Sequence, residues 1–332
     1  MSQDTGALEA SRGEITPEKE NSVLAFLRRL VREKPLGTVG GILVLLLFLT
    51  AMFADLGWLG LPNVGLAPYP YRELHVSDKL QPSSGTYVLG TDQLGRDVLS
   101  RVIYGARISV FVGVGASLLN MIVGAFLGTL SGYLGGRFDL FLQRFVDAFL
   151  SLPPLILLIS VMSIVGTGIV QIILVLGITG GIGWSRTVRS AVFAIKENVY
   201  MEAAEALGAS TWRMVFRHVL PNIMPVLLIA FSVSMAGNIL TEASLSFLGV
   251  GIPPPHPTWG QMLSLEGRKY MLEATWLAIW PGVALTITVF GISMWGDAVR
   301  DLVDPRLRGG VGGMGGHGME QAKKALARLE KK

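Results

Sequence analysis

Asn198 to Asn222 reads NVYMEAAEALGASTWRMVFRHVLPN, a polar and cationic island between two long apolar runs. Asn198 is suited to cap a helix, Val199 to Leu207 follow with good helix formers, and Gly208 stands where a helix stops in a left-handed conformation. Ser210 can cap a second helix. In that helix Trp212, Val215, Phe216 and Val219 fall at i, i+3, i+4 and i+7 as one apolar stripe, while Arg213 and Arg217 project from another face. Pro221 and Pro225 interrupt the pattern at its far end. The spacing predicts a short helix, a glycine turn and a second short helix. Ala203, Ala204, Ala206 and Gly208 give the first helix so little bulk that its backbone can sit close to a partner, with Glu202 and Glu205 supplying charge. The stripe from Trp212 to Val219 is expected to anchor the second helix against the chain's own neighbouring segments.

The composition puts this island at a membrane surface. Of 332 residues 51% are hydrophobic and only 16% charged, and apolar runs of about eighteen residues or more recur, which predicts transmembrane helices in one integral domain. No cysteine is present, so neither a disulfide framework nor thiol chemistry is available. A net charge of +4 in such a chain is first a matter of topology, because basic residues sort to the cytoplasmic side, and nucleic acid is not indicated as a partner.

Residues 1–37 read as a cytoplasmic tail, too long and too acidic before its first apolar run to be a signal peptide. Its end carries Leu24, Leu27, Leu30 and Val31 on one helical face, an interfacial helix with Arg28, Arg29, Arg32 and Lys34 near headgroups. A first span over 38–56 and a wet outer loop follow, together residues 38–106. The loop ends in LGTDQLGRDVLSRVIYGARISV, Leu89 to Val110, where Leu94, Val98, Val102 and Ile103 share a face and predict an amphipathic helix lying along the outer interface.

The core, residues 107–300, holds five more spans, with the island at 198–222 between the fourth and the fifth. The second span, 108–134, contains Gly124 and Gly128, a small-xxx-small pair that permits close helix contact. The third, 145–165, has Pro153 and Pro154 near its start, as a hinge or as a helix start; a Gly-Thr-Gly turn at 166–168 leads to the fourth, 169–184. The fifth, 224–250, contains Asn238 and Glu242; a carboxylate facing lipid at mid-bilayer costs about 2.5–3.5 kcal/mol, so Glu242 should point inward or lie near the outer edge. A loop with PPPHPTWG, where His256 reads as a turn residue, precedes the sixth span, 275–295. GDAVRDLVDPRLRG, Gly296 to Gly309, then puts Asp297, Arg300, Asp301, Asp304 and Arg306 in the cytoplasm, and 301–332 is a glycine-rich and basic tail. Placed this way, 21 of the 28 basic residues face the cytoplasm and 7 face outward. The island then lies on the side where ATP is.

No catalytic motif is legible. The chain has neither a G-x-x-x-x-G-K-[ST] phosphate loop nor H-E-x-x-H, and His75, His218, His256 and His317 have no metal-ligand spacing. A transport engine without its own nucleotide site must borrow one.

Glu202, Ala203 and Ala204, then Gly208, then Leu220 and Pro221 resemble the EAA loop of membrane subunits of ATP-binding cassette importers. His218 replaces the usual isoleucine and resembles the His-x-Leu-Pro-Asn variant of the peptide-importer branch. The segment from Leu89 to Val110, NILTEASLSFLGVG from Asn238 to Gly251, and GDAVRDLVDPRLRG are similar to the dipeptide and oligopeptide permeases as well. The resemblance implies an all-α integral membrane protein with six transmembrane helices, the type I ABC importer permease fold, cytoplasmic termini, and a place in the inner or plasma membrane of a prokaryote. It implies a permease that forms half of a translocation pathway for dipeptides or oligopeptides and couples through Glu202, Ala203, Ala204, Gly208, Leu220 and Pro221 to separate ATPase subunits of one or two kinds. ATP and Mg would be bound by those subunits, with no cofactor on this chain. A second homologous permease, an extracytoplasmic substrate-binding protein and the lipid bilayer are the other implied partners. Asn238 and Glu242 stand as positions in the pathway or at the subunit interface. The alternatives are an importer permease for nickel or oligosaccharides, an ion-coupled secondary transporter, for which only Glu242 offers an intramembrane charge and no internal repeat is convincing, and a membrane scaffold that recruits a partner through the island.

Overall fold

The structure, a computed structural model, describes residues 22–57 and 65–303. Expectations for the acidic tail before residue 22 and for the tail from 304 on, Asp304 and Arg306 included, lie outside the described residues. Helix α1 (Ser22–Glu33) is followed at once by α2 (Pro35–Phe53), whose start is set by a proline in its first turn. Then come α3 (Val98–Leu134), α4 (Gly136–Leu150), α5 (Pro154–Val165), α6 (Ile169–Lys196) and α7 (Val199–Ala206). Helix α8 (Thr211–Arg213) runs through a π-helical stretch, Met214–Val219, into α9 (Leu220–Phe247). On the opposite side a short α10 (Trp259–Gln261), a second π stretch (Met262–Gly267) and α11 (Arg268–Tyr270) precede α12 (Trp276–Val303). Among the described residues five of these segments are long and apolar enough to cross a membrane, and α4 and α5 reach that length and hydropathy only together, as a pair bent at the break between them.

Small residues bring the spans together. A Cβ on Gly128 would lie 2.5 Å from the Val188 Cβ, and one on Gly181 would lie 2.6 Å from the Val123 Cβ, so α3 and α6 meet backbone to backbone. The Gly124–Gly128 pair is thus a contact seam, as its spacing predicts. In the same way a Cβ on Gly40 would come within 2.7 Å of the Trp295 backbone, which locks α2 onto α12.

Four expectations need correction. The amphipathic start of the second span does not lie flat: α3 is continuous from Val98 because Asp97 caps it, accepting from Ser100 N at 2.8 Å, and because the charges along it are neutralised in place. Arg107 donates to Asp55 Oδ2 at 3.1 Å and to Ala51 O at 3.0 Å, and Arg101 lies 3.6 Å from the buried Asp92 carboxylate. The third span is no single helix over 145–165. Pro153 and Pro154 end α4 and start α5, and the two meet at 93°. The fourth span runs on to Lys196, well past 184, since Arg186 pairs with Asp147, and Arg189 with Asp139. Finally, Pro221 and Pro225 do not interrupt the second island helix, which continues into the fifth span as one rod, Thr211–Phe247.

The outer side is closed by the loop that leads to α3. Asp92 is fully buried, its Oδ1 accepting from Leu94 N and Arg96 N at 2.8 and 2.9 Å. Gly95 adopts φ +78° with its α-carbon against the His75 carbonyl, where a Cβ would lie 1.8 Å from that oxygen. Two indoles pin this loop and its neighbour: Trp276 Nε1 donates to Thr91 O at 3.1 Å, and Trp259 Nε1 to Val102 O at 3.0 Å. Burial alone would raise the Asp55 carboxyl, but the Gly57 N–H, the Tyr104 hydroxyl and the Arg107 guanidinium together hold it below the usual carboxylate range.

Candidate coupling surface

The island is carried on the cytoplasmic end of α6. Asn198 does not cap α7 with its side chain as its position predicts. Its Nδ2 instead turns back to Ala194 O and Ile195 O, at 3.0 and 2.9 Å, and adds a side-chain donor at the last turn of α6, where Ile195 O also accepts from Asn198 N at 3.1 Å. Helix α7 then runs from Val199 to Ala206 and closes with two bonds, Gly208 N to Glu205 O at 2.9 Å and Ala209 N to Ala204 O at 3.1 Å. This is a Schellman closure with Gly208 in the left-handed position, φ +80°. Ser210 caps α8 through Arg213 N, as expected.

One residue seats α7 on the body. Met201 is buried in a cluster with Val188 and Val192 of α6, Met214 and Val219 of the π stretch, and Ile223 and Leu227 of α9. Ala204 is half-buried at its edge, and so is Leu220. Everything else on α7 looks outward: Glu202, Ala203, Glu205, Ala206 and Gly208 are exposed, and Leu207, at 89%, is almost wholly free. Pro221 is exposed as well. The predicted docking residues therefore divide. Glu202, Ala203 and Gly208 form the presented face, Ala204 and Leu220 join it to the core, and Pro221 stands at the foot of α9.

The anchoring stripe from Trp212 to Val219 does not hold together. Trp212 and Phe216 are 72% and 49% exposed, with ring centroids 4.1 Å apart, while Val219 and Met214 are buried. The π stretch explains this. Leu220 N bonds Val215 O, five residues back, and the wider turn puts Met214 and Val219, five apart, on the inner face in place of a 3.6-residue stripe. The same extra width lets Pro221, which has no N–H, sit in a continuous rod; Asn222 Nδ2 helps by donating to His218 O at 2.6 Å. Trp212 and Phe216 instead border an apolar groove of about 450 Å³ against Phe126, Leu130 and Tyr133 of α3.

Sequence reasoning missed Leu207 as a presented side chain and Met201 as the seat. The signal for the second was present, since Met201 lies one helical turn from Ala204, the other residue of α7 that faces the cluster.

The two intramembrane positions lie inside this chain. Glu242 is 1% exposed; its Oε1 accepts from Ser246 Oγ at 2.7 Å, and the Thr258 hydroxyl also meets the carboxylate. Ser246 Oγ in turn accepts from Ile252 N at 3.3 Å, so the carboxylate is the root of a polar knot that holds the outer loop onto α9. Asn238 Nδ2 donates to Ser117 Oγ on α3 at 3.0 Å, and the residue borders a hollow between α6, α9 and the α4–α5 bend. Among the described residues no group of three or more His, Asp or Glu side chains is placed to hold a metal ion.

A bundle of apolar helices that presents one short, glycine-closed helix on a rigid stalk is the architecture of an importer's membrane subunit. The chain belongs to the family described as "Binding-protein-dependent transport system inner membrane component", which matches residues 124–309. Among characterised sequences it is 36% identical over 277 residues to the oligopeptide transport system permease protein OppC of Bacillus subtilis, covering 83% of this chain and 88% of that one. It is 36% identical over 285 residues to the glutathione transport system permease protein GsiD of Pectobacterium atrosepticum, covering 85% and 91%. The dipeptide permease DppC of Bacillus subtilis is 35% identical over 282 residues, 85% of either chain. Among solved structures, the inward-facing MetNI methionine ABC transporter has a chain that superposes with a TM-score of 0.51 at 20% identity, covering 61% of this chain and 96% of that one. The protein is thus a multi-pass inner-membrane permease subunit with the type I importer fold and the family's EAA motif, and it is not itself an enzyme. ATP hydrolysis falls to a separate subunit.

Proposed function

We propose that this chain is one of two homologous permease halves in an ATP-driven importer of dipeptides or oligopeptides. An extracytoplasmic binding protein delivers cargo to the outer loop, and one or two kinds of ATPase subunit bind ATP and Mg and drive the cycle. The observation that carries the reading is α7: a helix fixed at one end by Met201 and at the other by Gly208, with an outward face of small and acidic residues. Such a helix can enter a groove on an ATPase and pass its movement to α6 and α9 without yielding. Glu202, Ala203 and Gly208 make the contact; Ala204, Leu220 and Pro221 transmit it. The peptide cargo is supported by the peptide-transport relatives and by the His218-x-Leu220-Pro221-Asn222 variant.

The test is uptake. The importer, isolated from native membranes with its companions and reconstituted in vesicles, should accumulate a radiolabelled tripeptide when ATP is supplied on the α7 side. Uptake of nickel or an oligosaccharide in its place would overturn the cargo, and uptake driven by an ion gradient without ATP would overturn the class.

A further inference from the structure

We propose that the groove between α3 and the island's second helix seats one anionic phospholipid of the cytoplasmic leaflet, its phosphate held by Lys196, Arg213 and Arg217. This does not depend on the cargo. The groove holds about 450 Å³, with Ile122, Phe126 and Leu130 of α3 on one side and Trp212, Phe216 and Leu220 on the other. Its depth in the bilayer can be counted. Arg107 is the last charged residue of α3, and about twenty residues of helix from there, about 30 Å, cross the hydrocarbon. Its inner edge then falls near Gly128 and Thr129, halfway along the groove. Ile122 to Phe126 border acyl chains, and Leu130 to Leu134 stand in the headgroup layer. The groove straddles that boundary as a phospholipid does.

The polar groups of the groove lie where the ester and phosphate of such a lipid would lie. Thr129 lines the wall 6% exposed, and its hydroxyl has no partner among the described residues; a χ1 turn offers it to an ester carbonyl at this depth. Tyr133 closes the foot with its hydroxyl against the Thr211 side chain, and Trp212 stands beside it. Rings with a polar tip belong at this level of a bilayer. Lys196 Nζ stands 5.2 Å over the Tyr133 ring and donates to Tyr133 O at 2.8 Å. Arg213 and Arg217, one turn apart, are exposed on the face next to Trp212 and Phe216. None of the three cations pairs with a carboxylate among the described residues. Glu205 is the acid whose charge reaches Tyr133, and they outweigh it. Basic side chains just cytoplasmic of a span draw anionic lipid in this way. The acyl chain then fills the apolar half of the groove, and the lipid ties the island's second helix to α3 from the side opposite the buried Met214 and Val219.

Trp212 can report its own neighbour. The permease, isolated with its companion subunits, is reconstituted in phosphatidylcholine vesicles that carry a minor share of either phosphatidylglycerol or phosphatidylcholine brominated near the top of the acyl chain. The quenching of Trp212 is the difference between the wild type and Trp212→Phe, and Trp280, exposed near the outer start of α12, gives the reference through Trp280→Phe. Preference for the anionic quencher at Trp212 should exceed that at Trp280 about fivefold, as one basic side chain beside a headgroup gives, and more if the three act together. In the triple variant Lys196→Gln, Arg213→Gln, Arg217→Gln it should fall to the Trp280 value. Equal preference at the two tryptophans means ordinary bilayer lipid and overturns the proposal, as does a preference that survives in the triple variant. A Trp212 that neither lipid quenches is covered by the ATPase or the second permease, which overturns it as well. Should the triple variant fail to assemble, lipid retention decides. The purified wild type should keep a phosphatidylglycerol through detergent washing, seen by mass spectrometry, and Ala125→Phe, which fills the groove, should release it. No retained anionic lipid, or one that Ala125→Phe still holds, overturns the site.

Discussion

Met201 and Gly208 fix the two ends of α7 by different physics, and they should fail differently. Met201→Ala removes a buried thioether from the cluster under the helix, a change that costs about 2–5 kcal/mol in well-packed cores, so α7 should loosen and limited proteolysis near Leu207 should quicken. Gly208→Val puts a β-branched residue at φ +80°, a strain on the order of 1–3 kcal/mol that the exposed turn can relieve by changing shape. We expect Gly208→Val to remain in the membrane and to hydrolyse ATP through its partners while uptake falls at least tenfold; unchanged uptake would remove the turn from the coupling path. Acid should act elsewhere. The Asp55 carboxyl is held below its ordinary range, so its pairing contributes stability above about pH 4 and loses it as the pH falls through the lowered value. Asp55→Asn should flatten the acid limb of thermal stability measured between pH 3 and 6. Gly208 and Ser210 could be placed from spacing because left-handed stops and caps depend on neighbours in the chain. Asn198 could not, since its side chain answers to carbonyls of the preceding helix.

At the scale of elements, the two π stretches and the α4–α5 bend set the differences from a simple hydropathy reading. A stripe drawn at 3.6 residues placed Trp212 and Phe216 inward; one wide turn replaced them with Met214 and Val219, and nothing in a periodicity analysis marks where a turn will widen. Prolines 153 and 154 did announce a boundary, but not a 93° change of direction, which depends on α4 being tied to α6 through Asp139 and Arg189. That tie invites a test. Arg189→Ala would leave the largely buried Asp139 carboxylate without its guanidinium, a loss of about 1–3 kcal/mol for a part-buried, charge-assisted pair, and the purified complex should melt lower. Arg189→Lys should recover part of that loss.

For the whole molecule, the strongest expectation concerns company. Gentle isolation of the tagged chain should bring ATPase subunits and a second permease, identified by mass spectrometry, and a cysteine at Glu202 should crosslink to the ATPase at one or more positions of a surface scan. A chain that comes out alone would end the borrowed-engine mechanism. The crossing segments and their orientation were legible because bilayer thickness and charge asymmetry act on composition. The outer loop's knot around Asp92 and the indole ties of Trp259 and Trp276 were not, because each joins residues far apart in the chain.

The unbroken run of α3 has a geometric result of its own. At 1.5 Å per residue, its 37 residues make a rod about 55 Å long, while a bilayer's hydrocarbon is about 30 Å thick. About 25 Å of the rod therefore lies outside the hydrocarbon. Welded to α6 by the glycine seam, it braces the helix that bears α7 over most of that helix's length, so a push on α7 reaches the spans as the tilt of a paired beam and not as the bending of one helix.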